Sequence, residues 1–299
     1  MLHRRLTIAT RSSALALWQA EHVAALLRSA HPGLEVVLET FTTVGDRTLD
    51  TSLDKIGDRG LFTKELEGAL LDGRADVAVH SLKDMQTVLP EGLVVAAVTE
   101  RHAAEDALVA PQGTTLASLP EGATVATGSV RRRAQLLALR PDLEIVDLRG
   151  NIQTRLRRVH ENGWSGAILA RAGLERLGLE EAIAQIIPTD LMLPAVGQGA
   201  LAIEARAGDR GVLDLLAPLQ HGATRAAVDA ERAFLRQLEG GCHTPIAAHA
   251  TVAGSALHLV GLLAAHDGST VARSAIDGRV EDAERLGVEL AERVRQGGM

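Results

Sequence analysis

Short apolar runs alternate with amphipathic segments through the first two thirds of this chain, and few folds accept that alternation. "RRLTIAT" reads as a strand, residues 13 to 30 as a helix, "LEVVLETFTT" as a strand, 62 to 73 as a helix and "ADVAVHSL" as a strand. Such alternation signals parallel βαβ units. The pattern resumes after residue 105 with "DALVA", "ATVATG", the helix "SVRRRAQLLALR", the strand "LEIVDLRG", the helix "NIQTRLRRVHENG" and the strand "GAILARAG". Two α/β domains are expected, joined near residues 99 to 105, with a return through "PAVGQGALAIEAR" and a strand at 200 to 206. A connection that crosses twice makes a hinge. Beyond Gly222 a long helical pattern, "ATRAAVDAERAFLRQLEGG", ends at a glycine pair suited to a left-handed cap. Apolar runs near 245 to 253, 256 to 265 and 270 to 276 and a last helix from about 280 to 296 follow, the pattern of a small antiparallel sheet with helices. The expected domains are 1–99 with 200–218, then 100–199, then 219–299; 299 residues at 46% hydrophobic content allow two or three.

Net charge is -7 and aromatic content 2%, with no tyrosine, which argues against a general nucleic-acid surface. No run of 18 apolar residues is present, so no membrane span is expected. The basic start is broken by Arg11 and fails as a signal peptide. One cysteine excludes an internal disulfide framework, and the expectation is a cytoplasmic protein. The eleven histidines show neither HExxH nor paired Cys/His spacing, so no metal is expected. GxSxG, GxGxxG after a strand and the P-loop spacing are absent as well.

Against this acidic background, arginine is concentrated between residues 131 and 158. Three segments share one logic: "ATRSS", "ATGSVRRR" and "RGNIQTR" each put arginine at the carboxyl edge of a strand with a small polar residue opening the next helix. Ser13, Ser129 and Asn151 are N-cap candidates, and helix starts attract anions. Arg131, Arg132 and Arg133 in a first turn oppose the helix dipole unless an anion neutralises them. The functional reading is an anion site; a solvated basic helix face is the alternative. Lys83 and Asp84 follow a strand directly, as a surface pair or as a carboxylate kept ionised among cations. "DKIGDRGLFTKE", with Gly57 and Gly60, reads as a lid over a cleft or as an ordinary surface loop. Cys242, in "QLEGGCHTP", follows a helix C-terminus, where the dipole disfavours a thiolate. It reads as a small buried hydrophobe or as a permanently modified tether, not as a cycling nucleophile.

Together "IATRSSALALWQA", "GDRTLDTSLDKIGDRGLFTKELE", "ADVAVHSLKD", "RRRAQL", "LRGNIQTRL", "AGLERLGL", "LPAVGQGALAIE" and "LEGGCHTPI" closely resemble the porphobilinogen deaminase (hydroxymethylbilane synthase) family. The resemblance runs from residue 8 to about 246. It implies two α/β domains like those of type II periplasmic binding proteins around a cleft, plus a small C-terminal α+β domain with an antiparallel sheet. It also implies a dipyrromethane cofactor joined to Cys242 by a thioether, and a monomer that binds neither nucleic acid nor membrane. The family condenses four porphobilinogen molecules with loss of ammonia, each through an electrophilic azafulvene, into a linear tetrapyrrole used in haem-type biosynthesis. By the same resemblance, Lys83, Asp84, Thr127, Ser129, Arg131, Arg132, Arg149 and Arg155 bind the cofactor. Arg11, Ser13 and Arg176 face the substrate, with Arg149 and Arg155 shared; Asp84 is the catalytic carboxylate; and Lys55, Gly57, Arg59, Gly60 and Phe62 belong to the lid. Gln86, Gly128 and Arg59 stand where the family commonly has proline, serine and lysine. Two rivals stay open, an anion receptor that closes on a small carboxylate without reacting and a nucleic-acid module using the 131 to 158 arginines. Neither gives Cys242 a role.

Overall fold

The computed structural model describes residues 5–43, 63–238 and 244–297. The chain divides into two compact units, Met1–Arg101 with Ala200–Arg225, and His102–Gly199 with Ala226–Met299. In the first unit β1 (Arg5–Arg11), α1 (Ala14–Ala30), β2 (Glu35–Phe41), α2 (Lys64–Leu71), β3 (Val77–Ser81) and β4 (Leu93–Val98) are joined by β10 (Leu201–Arg206) and α6 (Arg210–Leu216). The second unit opens with β5 (Asp106–Val109), β6 (Thr124–Ala126), α3 (Val130–Leu139), β7 (Glu144–Val146), α4 (Ile152–Glu161), β8 (Gly166–Ala170), α5 (Arg171–Glu175) and β9 (Ile183–Ile187).

The two five-stranded sheets have one topology. The first runs β2-β1-β3-β10-β4 and the second β7-β6-β8-β5-β9. In the first, β1 is parallel to β2 and β3, whereas β10 is antiparallel to β3 and β4. In the second, β6 is parallel to β7 and β8, whereas β5 is antiparallel to β8 and β9. The parallel units read from the alternation are present, β1 with β2 and β3 and β6 with β7 and β8, and one antiparallel strand in each sheet makes the sheets mixed. The odd strands, β5 and β10, are the first to follow a crossing between units, at 101/102 and 199/200. A strand that arrives without a crossover helix in its own unit is free to pair antiparallel. Two strands, β4 and β9, were absent from the sequence reading.

Helix α1 shows why these segments fold as they do. Ser13 caps it, and Ala20, Val23, Ala24 and Leu27 are buried at helical spacing against Leu6, Ile8, Val77 and Val79 of the sheet. The opposite face of that sheet is covered by α2 through Leu66, Ala69 and Leu70, over Ala9 and Ala78. Among the described residues no helix is long and apolar enough to cross a membrane.

A third sheet, β11 (Ile246–Ala253), β12 (Ala256–Ala264) and β13 (Val271–Arg279), is antiparallel in sequence order, as the apolar runs predicted. Helices α7 (Gly222–Gln237) and α8 (Ala283–Gly297) pack on it around the fully buried Phe234. Gly287 lets the two helices touch: a Cβ there would stand 2.8 Å from Ala233 Cβ and press on the Ala230 carbonyl. Gly287→Ala is expected to cost about 1–3 kcal/mol, read as a lower denaturation midpoint. Gly208→Ala, which meets open space, should leave the midpoint close to wild type.

Candidate functional site

At the carboxyl end of β1, Arg11 closes the strand and the Ser13 hydroxyl accepts from Ala16 N–H at 3.4 Å. The adjacent parallel strand β3 ends at Ser81 and enters a 3-10 turn, Leu82–Asp84. Leu82 N–H donates to the Ala200 carbonyl at 3.0 Å and Met85 N–H to the Leu82 carbonyl at 3.1 Å. Leu82 and Met85 are buried, so they anchor the turn whatever occupies position 86. Arg11, Ser13 and Asp84 consequently open onto one recess, together with His80, Ser81 and Gln19. Gln19 donates to the Ser81 hydroxyl at 2.8 Å. Asp84 is exposed and Lys83 half-buried.

In the second unit the carboxyl ends of the parallel neighbours β6 and β7 bring the other predicted residues together. Thr127 N–H donates to the Val146 carbonyl at 2.9 Å and its hydroxyl accepts from Ser129 N–H at 3.3 Å. Asn151 caps α4, accepting from Thr154 N–H at 2.8 Å. Ser129 precedes α3, but its hydroxyl makes no cap hydrogen bond, contrary to the expectation for all three cap candidates. Arg149 Nε donates to Asp147 at 3.0 Å, and Arg155 Nε donates to the Gly150 carbonyl at 2.7 Å. The glycine at 128 has a steric reason: a Cβ there would stand 2.6 Å from the Leu148 carbonyl oxygen.

Arg131 and Arg132 turn inward. Asp106, at 0% exposure, opens β5, and the two arginines are 5% and 6% exposed. Arg132 Nε and Nη2 donate to Asp106 Oδ1 at 3.0 and 2.7 Å, and its Nη1 donates to the Ile168 carbonyl at 3.1 Å. Arg131 Nη1 directs its hydrogen to the Leu193 carbonyl at 2.7 Å while standing 2.8 Å from Asp106 Oδ2, an ion pair more than a directed hydrogen bond. Gln198 Nε2 adds a bond to Oδ1 at 2.8 Å and one to the Ala104 carbonyl at 2.7 Å. Burial alone would raise the Asp106 carboxyl; the charges of Arg131 and Arg132 overcome that and hold it well below the usual carboxylate range. The anion that the sequence demanded for these first-turn arginines is therefore, at least in part, internal. Arg176 is also buried, donates to the Gly199 carbonyl at 2.7 Å, and is pushed down to about 10 by desolvation.

Sequence reasoning missed Asp106 and Glu204, although a charge at the mouth or in the middle of an apolar run ("EDALVA", "ALAIEA") was the available signal, and it missed the neutral Gln198, which carries no such signal. Cys242 and the lid residues Lys55, Gly57, Arg59, Gly60 and Phe62 lie outside the described residues. Among the described residues no cluster of His, Cys, Asp or Glu could hold a metal ion.

Two α/β units of matched topology place helix starts and arginine side chains at the carboxyl edges of their parallel strands, the edge at which α/β proteins hold ligands. Residues 6–214 match the family described as "Porphobilinogen deaminase, dipyromethane cofactor binding domain", and residues 225–296 its C-terminal domain. A porphobilinogen deaminase from Syntrophotalea carbinolica is 53% identical over 96% of this chain and 91% of its own length. One from Moorella thermoacetica is 53% identical over 96% and 92%. Among solved structures, a TRAP periplasmic solute binding protein from Desulfovibrio salexigens aligns over 98% of this chain and 77% of its own, at 12% identity and a TM-score of 0.44. The chain belongs to the porphobilinogen deaminase family.

The described residues fit a cofactor rich in carboxylates. Arg131, Arg132, Arg133, Arg149 and Arg155 stand against Asp106 and Asp147, the Ser129 hydroxyl is not consumed as a cap, and the buried Arg131 Nε has no hydrogen-bond partner. Removing the internal carboxylate tests the cluster. Asp106→Asn leaves two buried guanidinium groups uncompensated and should cost about 3–5 kcal/mol at neutral pH. Because the folded carboxyl titrates below its unfolded value, that contribution is complete above about pH 5 and is lost as pH falls below about 4. The denaturation difference between wild type and Asp106→Asn should narrow over that acid range.

Proposed function

We propose that this chain carries its dipyrromethane on Cys242 and reads the carboxylates of cofactor and substrate with strand-edge arginines. The reaction is head-to-tail condensation of four porphobilinogen molecules with loss of ammonia, giving hydroxymethylbilane. The observation that carries the site assignment is the recess shared by Arg11, Ser13 and Asp84.

The bound cofactor supplies the pyrrole carbon on which the chain is built. Arg131, Arg132, Arg149 and Arg155, with Lys83, Thr127 and Ser129, bind its carboxylates; Arg131 and Arg132 lend the one positive charge left over by Asp106. Arg11 and Ser13 orient the substrate's acid side chains, with Arg176 and the shared Arg149 and Arg155. Asp84, exposed at the recess, accepts hydrogen bonds from pyrrole N–H groups and stabilises the positive charge left on the ring when ammonia departs. The segment holding Lys55, Gly57, Arg59, Gly60 and Phe62 serves as a lid. We assign three domains, 1–99 with 200–218, 100–199 and 219–299, in a cytoplasmic monomer that binds neither nucleic acid nor membrane; the single cysteine and the charge of -7 support that assignment.

Intact-protein mass spectrometry should find the chain heavier than its sequence when made in cells that produce porphobilinogen, and Cys242→Ser should remove the excess. An unmodified wild-type mass would overturn the tether. Asp84→Ala should keep the added mass yet lose about 100-fold or more in turnover; near-normal turnover would exclude its role.

A further inference from the structure

Behind the recess lies a buried acid–base cluster that no role above uses. Glu204 of β10 is fully buried in mid-sheet, and His80 of β3 is 6% exposed. Ala202 pairs with His80, so Glu204, two residues on, is its diagonal neighbour on the same sheet face. His80 Nε2 and Glu204 Oε2 are 3.0 Å apart. Helix α2 covers this face and adds the buried Glu67, whose carboxyl is raised first by burial and then by the charge of Glu204. Glu67 Oε1 and Glu204 Oε1 are buried without a hydrogen-bond partner among the described residues. The other charged groups nearby are Glu65 on α2, Arg11 at the end of β1 and Asp84 on the 3-10 turn. Two buried carboxylates, one on the sheet and one on the helix that covers it, are costly unless protons are shared, and such clusters beside a recess mark functional groups.

We propose that Glu67, His80 and Glu204 form a proton-exchange unit for the deamination step, with His80 as its member at the recess and the two glutamates setting its charge. The inference rests on the reading that this recess receives the substrate. There the substrate's C–N bond breaks with its electron pair going to nitrogen, so an ammonium substituent leaves as ammonia and the ring keeps the positive charge. The unit gives that ammonia a proton, releasing ammonium. It regains one from the proton shed at the carbon that forms the new bond, so no further reactant is required. His80 then touches the departing nitrogen, while Glu67 and Glu204 act through it as positioning residues.

The test uses the holoenzyme and His80→Asn, Glu204→Gln and Glu67→Gln. Wild type must first show the added mass at Cys242 and consume porphobilinogen; if it does not, the underlying reading fails, whatever the variants do. With that met, His80→Asn should keep the added mass and a KM within about threefold, lose about 100-fold in kcat, and lose a limb of the pH–kcat profile. A kcat within about twofold of wild type, or activity lost only in proportion to lost mass, would overturn the proposal. Should Glu204→Gln fail to fold, Glu67→Gln decides: the limb should move, and a profile superimposable on wild type sinks the idea. Stability gives a readout independent of turnover. The folded Glu67 titrates above its unfolded value, so wild type should lose melting temperature relative to Glu67→Gln as pH rises above about 4.5, and parallel curves would count against proton sharing.

Discussion

One carboxylate, Asp106, lets the second unit keep two guanidinium groups out of water. Two buried cations held at one carboxylate would repel without it, and neither could shed its proton at any accessible pH. Both oxygens of Asp106 are engaged, and Gln198 adds a neutral donor to the same atom that Arg132 uses. With two guanidinium groups against one carboxylate the cluster keeps a surplus positive charge, which on the reading proposed above serves an acidic ligand. A lysine in place of either arginine would keep the charge but not the several fixed donors, which reach Asp106 and the carbonyls of Ile168 and Leu193 together.

The placement of that carboxylate follows from topology. Because β5 runs antiparallel to β8, its first residue stands where β8 ends, with Asp106 opposite Ala170. The beginning of a strand thereby joins the edge at which parallel strands finish and helices start. Gln198 bonds to residues 104 and 106. Gly199 accepts from His102 N–H at 3.2 Å in a left-handed conformation, φ +87, that leaves no space for a Cβ. The two segments that lead across the unit boundary are thus tied to each other and, through Asp106, to the arginines. Positions 198 and 199 are constrained by backbone proximity before any ligand is considered.

The sequence made legible what is local and periodic. Helix α1, with Ser13 ahead of residues buried every three or four positions, and the three strands of the C-terminal sheet follow from spacing alone. Strand direction was not legible, since an apolar run such as "LAIEAR" carries no mark of whether its neighbours are parallel. The strands β4 and β9 have no counterpart in the sequence reading. At the site, the arginines and Asp84 were visible as charges at strand ends, but their partners were not. Asp106, Gln198 and Glu204 lie far along the chain from Arg131, Arg132 and His80, so only folding reveals that they meet. The sequence poses two readings of the first-turn arginines, a ligand-anion site or a solvated basic face, and the structure puts Arg131 and Arg132 in neither place alone: both are buried against the internal carboxylate of Asp106.

The two sheet edges solve different electrostatic problems with one topology. The second unit surrounds a single buried acid with arginines and stays cationic, as suits a ligand carrying only carboxylates. In the first unit the recess is lined by Arg11 and also by Asp84 and His80, and Glu67 and Glu204 lie buried behind His80. A porphobilinogen molecule has both kinds of charge, acid side chains and an aminomethyl cation. On the reading proposed above, a recess that carries both signs of charge, Arg11 and Asp84, can distinguish its two ends, whereas a uniformly basic pocket would hold the carboxylates and repel the amine that must react. On the same reading Glu204, which would be a liability in a purely structural core, acts through its contact with His80.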